Sequence, residues 1–443
     1  MVNGSLGDKI IRFALPVAAT GILQQLFNAA DIAVVGQFVG KHAMAAVGSN
    51  NSIIGLMVTL FSGISMGANV VIARSTGQGD KEGIRNAVHT SILIALIGGL
   101  LMTLIGETAS RGLLHLLAVP EEIFQDSLRY IRIYLAGLPV IFLYNFESAI
   151  FRSQGDTRTP LICLLISGIL NVIMNIFFVV VMHMSVDGVA LATVLSNLVS
   201  ASLLYIMLLR SQKDIRVRFS GFHYYPRIIG SILRIGTPAG LQGMVFSLSN
   251  LCIQSAVNSL GADVIAASAA AFNIEIFVFY VVNSFGQACT TFVGQNRGAG
   301  KLDRCRKTTK ICLIQETIVN VVVSLLIILF GRTLLKIFNT DPEVIRLGYI
   351  RIIYLVSAEV FNGIIEVMSG AMRGHGQSLI PAVVSFAGIC GVRVLWVYTV
   401  FRRIPTFQII MIVYPLSWII TGCVLVIAYV LYMKKLRAQP AGA

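Results

Sequence analysis

The 443 residues predict an all-α polytopic membrane protein: twelve transmembrane helices in two parallel-repeat six-helix bundles around a central cleft. Three observations carry that expectation. Only 12% of the residues are charged while 56% are hydrophobic, with a mean hydropathy of +0.82. The apolar residues fall into twelve long runs, and the second six runs echo the first six. Soluble domains carry about 25% charged residues. A water-soluble enzyme and a disordered chain are therefore excluded as classes.

The runs span about 10–39, 46–73, 86–108, 123–150, 160–183, 186–209, 231–259, 264–293, 309–331, 344–371, 379–401 and 405–433. Each supplies the roughly 20 residues that a helix needs to cross hydrocarbon. The runs are continuous, without the ~10-residue alternation of a membrane barrel. Lysine and arginine sort by loop. The termini and the loops on their side hold 23, the opposite loops hold 10, and Arg393 lies inside a run. Excess Lys and Arg mark the cytoplasmic side. We expect a multi-pass protein of the plasma (inner) membrane with both termini cytoplasmic. The net charge of +14 is spread over short loops, which argues for orientation and against a nucleic-acid partner. The first run is too long for the apolar core of a cleavable signal peptide, so none is expected.

The longest polar stretch, 211–230, divides the chain into lobes at 1–210 and 231–443. RFALP at 12–16 is echoed by RIGTP at 234–238, and YIRI at 130–133 recurs at 349–352. FRSQGDTRTP at 151–160 matches MRGHGQSLIP at 372–381, and TGQGDKEG at 76–83 matches VGQNRGAG at 293–300. The offsets cluster between 217 and 222, the mark of a duplicated unit. Six helices is an even number, so both copies start on the same side and the repeat is parallel. Twelve spans plus duplication make transport the leading function. Seven scattered cysteines show no disulfide framework or zinc spacing. No P-loop, G-x-S-x-G or H-E-x-x-H is present, so neither ATP hydrolysis nor catalysis is expected, and no cofactor.

An ionisable side chain in hydrocarbon is costly and is a functional candidate by default. The candidates are Asp31, Glu147, Glu275, Glu316, Glu359, Glu366 and Arg393. Asp31 has no basic residue within four positions on its helix. Such a carboxylate can take up a proton, or bind Na⁺ if neighbouring oxygens complete a shell; no other metal site is evident. Asn171 and Asn175 share one helix face, and with Thr193 they can join Asp31 in an oxygen-rich cluster. Glu275, Glu359 and Glu366 offer charge for a cationic substrate or a second-lobe site for a coupling proton. Arg393 is expected to pair with a helix-ten carboxylate, with Glu275 the freer candidate if that partner is Glu359, and Glu147 to pair with Arg152. Phe279 and Tyr280, one turn past Glu275, can present aromatic surface to a flat cation. Pro16 and Pro238 interrupt equivalent helices, and Pro16 is the expected hinge because Asp31 shares its helix.

These residues resemble a known family. ALP at 14–16 with Gln24, Gln25 and Asp31, then VGQ, GQGDKEG, FRSQGDTRTP, GVALATVLS, VGQNRGAGK and MRGHGQ, in order, look like the multidrug and toxic compound extrusion (MATE) transporters. The resemblance runs from about residue 8 to 433. It implies two six-helix lobes, a V-shaped cleft, and export of small organic cations driven by H⁺ or Na⁺, with Gln24 among the substrate-side residues. Members with a cation site in the first lobe use an Asp in helix one, an Asn and an Asp in helix five, and a Thr in helix six. Asp31, Asn171 and Thr193 match, whereas the second helix-five acid is Asn175 here. That departure leaves Asp31 as the main titrating group. Nothing suggests oligomerisation, and a monomer is expected. The rival readings are a lipid-linked oligosaccharide flippase of the same superfamily, a membrane-embedded transferase and a channel. They are disfavoured by the single strongly intramembrane arginine, the scattered histidines and the lack of a filter-like loop.

Overall fold

The computed structural model describes residues 1–117, 119–218 and 223–438, so residues 219–222 of the expected linker lie outside it. Among the described residues all regular structure is helical. The helices are α1 Gly7–Phe38, α2 Lys41–Gln78, α3 Lys81–Leu116, α4 Glu121–Ala136 plus Leu138–Ser153, α5 Arg158–Val181 and α6 Val186–Arg210. They continue with α7 Pro226–Asn258, α8 Ala262–Gly298, α9 Leu302–Lys336, α10 Pro342–Gly374, α11 Leu379–Phe401 and α12 Phe407–Ala438. In lipid every backbone N–H and C=O must be bonded within the segment, which is why runs this apolar fold as helix. Ten of the twelve are long and apolar enough to cross a membrane, and α4, bent by 48° before Pro139, makes an eleventh. The twelfth, α7, falls short because Gln242, Ser247, Ser249 and Asn250 dilute its apolar face.

The duplication is visible in the backbone. Gly40, Gly79 and Gly155 have positive φ at helix ends, and so do Gly261, Gly300 and Gly376, each pair 221 residues apart. A side chain is strained in that region, so the repeat kept glycine at each turn. Both copies of the fifth helix also widen into a π turn, at Phe177–Val181 and at Val397–Phe401.

The chain forms two compact units, Met1–Ala18 with Pro238–Ala443, and Ala19–Thr237. This differs from a division at the 211–230 stretch. The chain passes from one unit to the other two residues after Pro16 and again immediately before Pro238. Within the 19–237 unit, α4 is the hub and packs on α2, α3 and α6. Within the other unit its counterpart α10 packs on α8, α9 and α12. The α8–α10 crossing is close because a Cβ on Gly370 would strike the backbone carbonyl of Gly286, and small residues let membrane helices approach in this way.

Candidate functional site

The 19–237 unit gathers the expected polar cluster. Asp31, two turns before the end of α1, is only 6% exposed. Asn175 on α5 donates its amide N–H to Asp31 Oδ1 at 2.5 Å and to Asn171 Oδ1 at 3.2 Å. Thr193 Oγ1 on α6 lies 3.1 Å from Asp31 Oδ2 and 2.9 Å from the Val189 carbonyl, so its one proton serves one acceptor at a time. The four-residue spacing on α5 aims both asparagines at α1, and the π turn begins two residues later. Such turns recur at functional sites. Among the described residues Asp31 has no cationic partner, and its charge is met by neutral dipoles alone. The Asn175 amide oxygen is buried and has no hydrogen-bond partner among the described residues. This arrangement can hold a proton on Asp31. It also offers carboxylate and amide oxygens of the kind that hard cations prefer. Gln24, seven residues earlier on the same face of α1, is half-buried. Tyr130 and Tyr134 of α4 stack with ring centroids 6.4 Å apart, within range of the Asp31 charge. Sequence reasoning missed both; their i, i+4 spacing beside the repeated YIRI string was the available signal.

The other unit handles its acids differently, and two expectations are corrected there. Glu275 is not the free carboxylate. Arg351 grips it in a bidentate pair, with Nε 3.0 Å from Oε1 and Nη2 3.0 Å from Oε2, both side chains nearly buried. α10 starts at Pro342 and carries Arg351 more than two turns into the helix. Arg393 does not pair with Glu359. It donates to Asn250 Oδ1 at 2.8 Å, Ser417 Oγ at 3.1 Å and Ser249 Oγ at 3.4 Å, and lies 4.4 Å from the Tyr414 ring centroid. Three neutral oxygens and an aromatic face together take the place of a carboxylate. Glu359 instead accepts from Asn362 at 2.6 Å. Glu366 faces Arg373 at 3.7 Å and Asn283 at 3.4 Å, and Glu316 accepts from Asn320 at 2.9 Å. Phe279 and Tyr280 are half-buried and meet edge to face at 5.8 Å.

A third correction lies in the first unit. Glu147 is fully buried, and among the described residues neither of its oxygens has a hydrogen-bond partner, so the expected pairing with Arg152 is not formed.

Comparison with known proteins adds a second line of evidence. The MatE family model matches residues 16–177 and again residues 238–399, so one model describes both repeats. The chain is 30% identical to a probable multidrug resistance protein NorM of Thermotoga maritima over 86% of this chain and 82% of that protein. It is 26% identical to the probable multidrug resistance protein YoeA of Bacillus subtilis, over 86% and 84%. Its fold superposes on the solved structure of a MOP-superfamily transporter from Pyrococcus furiosus with a TM-score of 0.92. That match covers 99% of this chain and 98% of the other at 21% identity.

Proposed function

The chain belongs to the MatE family of multidrug transporters, and from that premise we propose that it exports small organic cations by antiport against protons. The observation that carries this reading is the setting of Asp31, a buried carboxylate in a transporter met only by uncharged donors. When Asp31 is ionised, the cluster carries one uncompensated negative charge. Taking up a proton removes it, and the bonds from Asn175 and Thr193 hold the carboxyl in place in both states. Coupling then requires only that proton and drug favour different conformations. Asn175 supplies an amide where a second carboxylate would favour Na⁺, so the proton is the coupling ion in this reading. Pro16 is the hinge of α1, because an internal proline removes a helical hydrogen bond and lowers resistance to bending. Of the second-unit acids, Glu359 attracts the substrate cation, while Glu275 anchors Arg351 and Glu366 faces Arg373. Gln24, Phe279 and Tyr280 line the route. The expected orientation, with both termini cytoplasmic, completes the proposal.

The test uses purified protein in liposomes loaded with ethidium, under an inward H⁺ or an inward Na⁺ gradient applied separately. H⁺-driven efflux that Asp31→Asn abolishes supports the reading. Efflux driven by Na⁺ alone overturns proton coupling, and failure of both gradients across a panel of organic cations overturns the substrate class.

A further inference from the structure

A groove of about 530 Å³ opens within the unit containing residues 238–443, lined by α9 and α12 with Met368 of α10 also facing it. Both α9 and α12 reach this place at the same membrane face, the first at its start and the second at its end. Their contributions are graded along the helix axes. Arg306 and Lys310 on α9, and Lys434 and Arg437 on α12, line the outer end. One or two turns deeper the lining becomes Leu313 on α9 and Val426 and Val430 on α12. The spacings 306, 310, 313 and 426, 430, 434, 437 keep each set on one helix face. The deep end borders lipid-facing surface, where Ile314, Ile427, Val430 and Leu431 are between 44% and 60% exposed.

We infer that this groove binds an anionic phospholipid, with its phosphate among the four basic side chains and an acyl chain along the apolar half. Charge complementarity selects the head. Of the four cations only Arg437 has a carboxylate partner among the described residues, Asp303 at 3.0 Å, and that pair is itself exposed. The apolar half selects a lipid over a free anion, because a phosphate alone would leave Leu313, Val426 and Val430 uncovered. Basic pockets between membrane helices bind anionic headgroups for the same reason. The site is independent of the Asp31 cluster, which belongs to the other unit.

The experiment exposes the detergent-purified full-length transporter to an equimolar mixture of phosphatidylglycerol and phosphatidylcholine of matched acyl chains. Native mass spectrometry then counts the bound lipids. We expect one retained phosphatidylglycerol per transporter. The double variant Lys310→Gln/Lys434→Gln should lower its retention about thirtyfold, at roughly 1 kcal/mol per charge, and leave phosphatidylcholine unchanged. Val430→Trp, at an exposed position, should displace the acyl chain while the protein melts normally. Equal retention of the two lipids, or no effect of the double variant, overturns the proposal. Displacement of the lipid by millimolar inorganic phosphate also overturns it, in favour of a free-anion site.

Discussion

Two carboxylates within apolar helices, one buried and one nearly so, are treated in opposite ways. Asp31, in the 19–237 unit, meets uncharged groups among the described residues, the amides of Asn175 and Asn171 and the hydroxyl of Thr193. Glu275, in the other unit, is clamped by the Arg351 guanidinium. A carboxylate with its own cation is already neutralised as a pair and has no electrostatic reason to bind another. One held by neutral dipoles keeps its charge available for exchange with a proton or a metal ion. The difference separates a residue that can do work from one that holds the fold, although both look alike as lone acids in an apolar run.

The largest effect that sharpens this comparison is on transport. Asp31→Asn should abolish gradient-driven ethidium efflux while leaving expression and melting near wild type, because the amide keeps the shape of the carboxyl. Glu275→Gln should do the reverse. It strands the buried Arg351 charge, which costs about 3–5 kcal/mol. The melting temperature should fall sharply, and Glu275→Gln/Arg351→Met should recover much of it. If Glu275→Gln melts normally but stops transport, the assignment of the two roles is wrong.

A smaller contrast lies in the loops after the two hub helices. Position 154 is Gln in the first repeat, and its amide reaches Thr76 at 2.6 Å. The equivalent His375, in the α10–α11 loop, is buried with neither ring nitrogen bonded among the described residues. Burial, aided by the Arg297 charge, pushes His375 down to about 4 from its usual 6.5. The unfolded chain then binds the proton more readily. Stability is intact above pH 6.5 and falls as the pH drops towards 4, by at most about 3 kcal/mol. His375→Gln should flatten that acid limb in melts taken between pH 7 and 4.5. The smallest expected effect is a gain. Asn175→Asp puts a second carboxylate beside Asp31 and should let a Na⁺ gradient drive measurable efflux, read in the same liposomes.

Much of this was legible in the residues. Hydropathy alone implied the helices, because lipid leaves the backbone no other way to satisfy its polar groups. The echo between FRSQGDTRTP and MRGHGQSLIP implied the repeat, and the glycines with positive φ at 155 and 376 show why the turn survived. The Asp31, Asn171, Asn175 and Thr193 set was also readable, since each residue is a polar exception on an apolar helix. What could not be read was pairing. Arg393 was expected to take a carboxylate and instead chose Asn250, Ser417 and the face of Tyr414. Arg351, not singled out in the sequence, holds Glu275. Periodicity and composition are properties of one helix at a time, so the sequence by itself determined the helices, their number and the repeat. Which charge meets which partner depends on the rotation and depth of helices far apart in the chain, and only the tertiary structure decided that.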